Sequence, residues 1–467
     1  MGRRDKELIE GVQIEGIAAE GKAIAKINGK VLFVPHAIPG DVADVQVTVK
    51  RKGYMEGHIV NMIKPSELRI EPFCSHYTIC GGCKWQPLPY QLQLDFKTQQ
   101  VVDQLVRIGR LDISEVLPAV GSAKQQFYRN KLEFTFSDKR WIESKSEMES
   151  IPESEKQGLG FHISGYFDKV LDIKKCWLQP EPSNRIRLFV KEYALMNNLP
   201  FFNLKEQTGL LRNLIIRNTI DGQVMVIAVF AYFDESIIYP LLDSLADEFK
   251  EITSLNYVIN GKRNDSIADL PFTTYRGEDA IYEKMENLSF RIGPKSFFQT
   301  NSEQAYTLYS IVREFADLKG DEVLYDLYTG TGTIALFLAS KCKKVVGIEY
   351  VPEAIEDALI NAKNNGINNS SFYAGDMKLV LNEELIAREG VPDVMVLDPP
   401  RAGIHADVAK VILSASPAKI VYVSCNPATQ ARDISLLSEK YSVTKVQPVD
   451  MFPHTHHVEN VVLLVKK

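Results

Sequence analysis

From about residue 291 to the end of the chain, strand-like and helix-like runs take turns: VLYDLY, a helical pattern over 333–340, VVGIEY, another over 352–365, then VMVLD and IVYVS. No other feature restricts the fold as much. Apolar strands separated by helices bury both faces of a sheet, and the helical connections return the chain so that the strands run parallel. The closing segments YSVTKVQPVDMF and ENVVLLVK read as a final antiparallel hairpin. The expected class is α/β, with a Rossmann-like C-terminal domain over 291–467 whose ligands lie at the carboxyl ends of its strands.

A chain of 467 residues exceeds what one core supports, so further domains are expected upstream. Residues 1–64 read as a small β-barrel. The stretch AIAKINGKVLFV is two strand-like runs around Asn28-Gly29, the strongest short hairpin signal. After the Pro39-Gly40 turn, Val45, Val47 and Val49 alternate with Gln46, Thr48 and Lys50. Small barrels of this size often bind oligonucleotides. Lys50-Arg51-Lys52 would suit phosphate, and equally suits a solvated strand end. Residues 65–290 are expected to form a mixed α+β central domain, in which YRNKLEFTF and LGFHISGYFDKVLDI are strands joined by an exposed loop over 137–157.

The formal net charge of −6 does not mark a nucleic-acid binder. The surplus in residues 1–70, 11 Lys+Arg against 9 Asp+Glu, decides nothing by itself. No apolar run of about 18 residues occurs, the start MGRRDKELIE is charged, and six cysteines do not make a disulfide framework. A cytoplasmic location with no membrane partner is expected.

In VLYDLYTGTGTIALFLA, Gly330 and Gly332 fall in the turn between a strand and a helix, where the backbone can approach a ligand. With Ala335 the turn matches G-x-G-x-x-A, and Glu349 ends the next strand, 23 residues beyond Asp326, placed for ribose hydroxyls. NAD and S-adenosylmethionine fit this much equally. Asp326 at the first strand's end favours the second, because a carboxylate suits amino and sulfonium charges better than a pyrophosphate. VLDPPRAG places Asp398 at the end of a later strand, where an aspartate followed by arginine suggests a target other than an exocyclic amine.

VSCNPATQARD raises a question about Cys425. The run Val421-Tyr422-Val423 reads as a buried strand, and Asn426-Pro427 turns the chain out of it, so Cys425 stands at a carboxyl end. It is either a nucleophile or a small core residue. Upstream, CSHYTICGGCKW gives C-x5-C-x2-C through Cys74, Cys80 and Cys83, with Cys176 in KKCWLQP available as a fourth thiolate. Four thiolates suit zinc or a cubane iron–sulfur cluster, and the spacing does not choose. Cys342 is expected to be a packing residue. His454, His456 and His457 lack a carboxylate or cysteine at ligand spacing, so no metal is expected there.

FFQTN (297–301), LYDLYTGTGT, GIEY, LDPPRAG, VSCNPATQARD and FPHTHHVENVVLL (452–464), in this order, resemble the RNA uridine-5 methyltransferases. More narrowly, the chain is similar to the 23S ribosomal-RNA branch, which carries an N-terminal TRAM barrel and a 4Fe–4S cluster. The resemblance is dense from 290 onward and sparse between about 135 and 290. It implies a class I methyltransferase domain over 291–467, an RNA-binding TRAM-like barrel over 1–64, and a central domain over 65–290 carrying the cluster on Cys74, Cys80, Cys83 and Cys176. By position, it implies that Gln299 holds the methionine part of S-adenosylmethionine, Tyr328 and Gly330 line its site, Glu349 takes the ribose, and Asp376 lies near the adenine. Asp398 would bridge cofactor and uracil, Cys425 would add to carbon 6, and Glu459 would remove the carbon-5 proton. Many members have asparagine where this chain has Thr333. The implied partner is structured RNA, ribosomal most of all, acted on by a monomer. Transfer RNA, and a non-catalytic iron–sulfur assembly factor, are the competing readings.

Overall fold

The computed structural model describes residues 7–113 and 115–467; the charged residues 1–6 at the start of the expected barrel, and Ser114, lie outside them. The chain forms two compact units, one from Met1–Ser122 with Pro399–Lys467 and one from Ala123–Asp398.

In the first unit, six strands form one sheet in the order Leu8–Gln13, Val42–Lys50, Tyr54–Lys64, Lys30–Val34, Ala23–Ile27, Gly16–Ile17. The hairpin of Ala23–Ile27 with Lys30–Val34 turns through Asn28 and Gly29, both with positive φ (49° and 76°), the combination a two-residue hairpin turn needs. Ala43, Val45 and Val47 point into a core with Val12, Leu32, Val34 and Met55, while Thr48 and Lys50 face water. Lys50 is ion-paired with Glu7 at 2.6 Å, which neutralises part of the basic triplet. Asp41 is buried under this sheet. Its carboxylate accepts from Arg69 Nε (2.8 Å) and Nη2 (2.7 Å), Ile38 N (2.7 Å) and Ser66 N (2.9 Å). Burial would raise its pKa, but these donors outweigh burial and hold it below the usual carboxylate value.

Helix Tyr90–Arg107 buries Gln93, Lys97, Val101 and Leu105, spaced four apart so that they share one face. Two of these are polar, and both are satisfied within the unit. Gln93 Nε2 donates to the Trp85 and Leu88 carbonyls and its Oε1 accepts from His454 N. Lys97 Nζ lies 2.5 Å from Asp450 Oδ1, both side chains being inaccessible to water. The unit also holds helices Ala406–Ala415 and Pro427–Leu437 and strands Lys419–Ser424, Glu459–Lys466 and Tyr441–Val449. Glu459–Lys466 runs antiparallel to both others, so the expected final hairpin is present.

The second unit contains a seven-stranded mixed sheet in the order Phe272–Gly277, Ile252–Ile259, Val224–Phe230, Leu211–Asn218, Lys131–Ser137, Gly158–Ile163, Tyr166–Asp172. Helices Ser183–Met196 and Glu235–Glu248 contribute to its core with Ile186, Val190, Leu241 and Leu245. The stretch over 137–157 is not all loop: it carries a helix at Lys145–Ser150 and a 3-10 turn at Glu153–Lys156. Its six helical residues are too few and too polar for an apolar period to show in the sequence. The same unit holds four parallel strands in the order Ser370–Ala374, Lys344–Glu349, Val323–Leu327, Val394–Leu397, with helices Thr333–Leu338 and Pro352–Asn364 between them in sequence. No helix among the described residues is long and apolar enough to cross a membrane.

Candidate active site

In the second unit Tyr328, Gly330, Glu349, Asp376 and Asp398 lie at or just beyond the carboxyl ends of the parallel strands. Val323–Leu327 ends in a turn where Tyr328, Gly330 and Gly332 all have positive φ (66°, 56° and 79°). Tyr328 N and Thr329 N donate to the Ile348 carbonyl, and Asn361 Nδ2 holds the Thr331 carbonyl, which fixes the turn from two sides. A Cβ on Gly332 would lie 3.0 Å from Ala358 Cβ, whereas one on Gly330 would meet nothing within 4 Å. Gly332 is thus required by packing, and Gly330 borders open space.

Asp326 is buried (1 % exposed). Its Oδ2 accepts from Thr329 Oγ1 (2.6 Å) and Ala335 N (3.0 Å), while its Oδ1 is buried with no hydrogen-bond partner. Burial, with a smaller push from Glu349, raises its pKa to about 7 against the Thr329 and Ala335 bonds. Asp398 follows strand Val394–Leu397 and is also pushed up to about 7, by burial and then by the neighbouring Asp326. An orphaned acid oxygen beside a second acid describes a site made for a cation.

Glu349 ends the next strand. Its Oε2 accepts from Gly330 N (3.1 Å) and its Oε1 from Tyr350 N (2.8 Å) and Val351 N (3.1 Å). These take three of a carboxylate's roughly four acceptor positions. A ribose diol would therefore use the one left or displace the Gly330 bond. Gly375 N donates to the Glu349 carbonyl, which brings Asp376, the cap of the short helix Met377–Val380, beside that strand end. Gln299 is buried in the turn before helix Ser302–Ala316, and its carbonyl accepts from Asn130 Nδ2 at 2.8 Å.

Cys425 and Glu459 belong to the first unit. Strand Lys419–Ser424 pairs antiparallel with Glu459–Lys466 so that Ser424 faces Asn460. Cys425 leaves the strand just after Ser424, and Glu459 directly precedes Asn460, so each adjoins one member of that last pair. Cys425 is half-buried and immediately precedes Asn426, whose side chain caps helix Pro427–Leu437 by accepting from Ala428 N. The start of an 11-residue helix favours a nearby thiolate. Glu459 is buried, 5 % exposed. The PPRAG loop is tied down beside them. Asn426 Nδ2 and Thr429 Oγ1 donate to the Arg401 carbonyl, and Arg401 Nη2 lies 2.9 Å from His457 Nδ1. Asp433 Oδ2 accepts from Ile404 N and the Tyr422 hydroxyl. A Cβ on Gly403, whose φ is +80°, would come 2.2 Å from that oxygen, so this loop accepts only glycine there.

A family model described as tRNA (Uracil-5-)-methyltransferase matches residues 277–467, and a TRAM domain model matches 9–60. A Bacteroides thetaiotaomicron protein named "Uncharacterized RNA methyltransferase" is 56% identical over 96% of this chain and 99% of its own length. The chain belongs to the RNA uracil-5-methyltransferase family. A Porphyromonas gingivalis protein of the same name is 54% identical over 97% of this chain and 99% of its own. Among solved structures, the Pyrococcus abyssi tRNA (uracil-54, C5)-methyltransferase in complex with S-adenosyl-L-homocysteine superposes with a TM-score of 0.76 at 28% identity, covering 98% of this chain and 100% of that one.

This RNA uracil-5-methyltransferase is therefore S-adenosylmethionine-dependent, and the second unit's residues fit that cofactor. Its amino and sulfonium charges would answer the unpartnered Asp326 Oδ1, and the open space at Gly330 would admit them. Asp326 and the Asn361 anchor are the parts of this site that family position did not supply. Asp326 was legible as an acid at a strand end, but nothing in the sequence pointed to Asn361.

A pH dependence follows. Of the two raised acids, Asp326 and Asp398, binding a cation favours ionised Asp326, so its proton leaves as cofactor enters. Affinity for S-adenosylmethionine is expected to rise with pH by up to roughly tenfold per unit below pH 7 and to level off above. In the cofactor-free protein the sign is opposite. The unfolded chain loses these protons first, so stability falls as pH rises between about 4 and about 7. Calorimetry in buffers of different ionisation heat reads the released proton; a pH-independent affinity with none released contradicts the assignment.

The cluster cysteines are divided between the units: Cys74, Cys80 and Cys83 lie in the first and Cys176 in the second. All four are half-buried. The 74–83 loop is tightly turned, with Tyr77 N on the Cys74 carbonyl and Cys80 N on that of His76. A Cβ on Gly82 would be 3.6 Å from Cys80 Sγ. Among the described residues, no group of three or more His, Cys, Asp or Glu is gathered to hold a metal ion. Cys342 is a buried thiol, pushed up to about 11 by burial, and serves as packing.

Proposed function

We propose that this enzyme methylates carbon 5 of a uridine in ribosomal RNA through a covalent adduct on Cys425. The neighbouring pair Ser424–Asn460, which Cys425 follows and Glu459 precedes, supports the reading, because the chemistry needs a nucleophile and a base on one base ring. Carbon 5 of uracil is a weak nucleophile. The Cys425 thiolate adds to carbon 6, and the carbon 5–carbon 6 π pair moves onto oxygen 4 as an enolate. Carbon 5 then takes the methyl group that S-adenosylmethionine supplies as its sulfur–methyl bond breaks. Glu459 removes the carbon-5 proton, the enolate re-forms, and the thiolate leaves as the ring double bond returns. Asp398 hydrogen-bonds the uracil edge as charge develops on it. Gln299, Tyr328, Gly330, Glu349 and Asp376 hold the cofactor.

Ribosomal RNA as the target rests on the branch resemblance. Transfer RNA is a second reading, and the Pyrococcus abyssi enzyme favours it, since that enzyme is a tRNA (uracil-54, C5)-methyltransferase and covers 98% of this chain. Mapping 5-methyluridine in both RNAs of a deletion strain separates them. Loss of a ribosomal mark alone supports the proposal, and loss of the transfer-RNA mark alone overturns it. The reaction belongs in the cytoplasm.

The thiolates of Cys74, Cys80, Cys83 and Cys176 are proposed to hold a 4Fe–4S cluster. Four soft donors suit it, and so does the branch resemblance. No step of the methyl transfer passes through it. Anaerobically purified protein is expected to carry about four irons per chain with the broad visible absorbance of thiolate-bound clusters. Stoichiometric zinc without iron contradicts this.

A further inference from the structure

In the antiparallel strands Lys131–Ser137 and Leu211–Asn218, Lys131 is paired directly with Arg217. Opposite residues of such a pair project from one face, and like charges there are destabilising. Arg217 is 7 % exposed, and its Nε is buried with no hydrogen-bond partner. Its Nη1 reaches only the Gly293 carbonyl, at 3.4 Å. Among the described residues neither cation forms an ion pair with a carboxylate. Glu133, two residues along the strand from Lys131, offsets part of the charge from a distance. Burial lowers the pKa of both cations, and for Lys131 the charge of Arg217 adds to it.

The pair lines a recess of about 220 Å³, including its open mouth, with Asn130, Asn218, Ile281 and Phe298. Two opposed, unpaired cations facing a recess are a cost to the fold unless an anion answers them. Because that volume includes the open mouth, an occupant would stay largely outside and present an anionic oxygen to the pair, which a phosphodiester in a nucleic-acid strand can do. Asn130 also donates to the Gln299 carbonyl, so an occupant of the recess would rest against the turn that carries Gln299.

We propose that the Lys131–Arg217 recess binds a backbone phosphate of the RNA substrate, a subsite that rests on the RNA-methyltransferase reading. The test measures RNA affinity by fluorescence anisotropy over a range of salt, in full-length Cys425→Ala protein so that turnover plays no part. Adding Arg217→Met or Lys131→Met should each weaken RNA binding about tenfold and flatten the slope of log affinity against log salt by about 1. Thermal unfolding without RNA should stay level or rise as the like-charge repulsion is relieved, and S-adenosylmethionine binding should persist as a check on folding. Unchanged RNA affinity and slope, with a lowered unfolding temperature, would make the pair structural and overturn the proposal. Unchanged RNA affinity with protection by inorganic phosphate that Arg217→Met abolishes would make it a free-phosphate site, which also overturns it. Failure of the methylation reading would appear separately, as absent turnover in the unaltered enzyme with RNA binding intact.

Discussion

Cys425→Ala is expected to lower methyl transfer by roughly 10⁴-fold or more, as removal of the nucleophile does in other covalent enzymes. Alanine fills nearly the same space at the end of strand Lys419–Ser424, and the Asn426 cap and the Asn426 and Thr429 bonds to Arg401 do not involve the thiol. Folding should therefore be preserved while the addition to carbon 6 is lost. Glu459→Gln should behave differently. Addition and methyl transfer precede the step Glu459 performs, so one methyl group is transferred per enzyme and release then becomes slow. A single-turnover experiment with labelled cofactor reads this as a burst of one equivalent followed by a plateau. A Cys425→Ala enzyme within tenfold of the native rate would make the thiol a packing residue.

Lys97→Met is expected to destabilise the protein by about 3–5 kcal/mol, because it leaves Asp450 buried without its cation. Asp450 is committed elsewhere too: it accepts from the Tyr90 hydroxyl at 2.8 Å and from Phe452 N at 3.0 Å. Lys97 also donates to the Phe452 carbonyl. These bonds fix the start of the segment that ends at Glu459. Burial holds the Lys97 pKa below the ordinary lysine value, against the pull of Asp450, so the pair persists only because the geometry is good. Denaturant unfolding measures the loss. A change below 1 kcal/mol would mean that water reaches Asp450 in the variant.

The parts of the molecule that local pattern encodes were legible. Asn28-Gly29 marked a hairpin because only such residues adopt two successive positive φ values cheaply. The glycines at 330 and 332 marked a strand-to-helix turn, and the Asn426-Pro427 step marked the end of the strand before Cys425. What the sequence did not disclose is long-range. Lys97 and Asp450 are 353 residues apart, and nothing near either announces the other. The same holds for Tyr422 and Asp433 gripping the PPRAG loop, and for Lys131 opposite Arg217, which exists only once two strands choose their register. Helix Lys145–Ser150 leaves no mark in the sequence for a different reason, being short and polar. Gln299, Tyr328, Glu349, Asp376 and Glu459 stand out through family position. Composition and periodicity alone would have left them among many polar residues.

The covalent step is tested most directly with RNA carrying 5-fluorouridine at the target position. The thiolate of Cys425 adds and the methyl group transfers, but carbon 5 then bears fluorine in place of a removable proton, so elimination stalls. A cofactor-dependent protein–RNA complex that survives denaturing electrophoresis is expected. Mass spectrometry should find one methyl group in it and a bond to the peptide containing Cys425. No complex under conditions where ordinary RNA is methylated, or a complex that persists in Cys425→Ala, would contradict it.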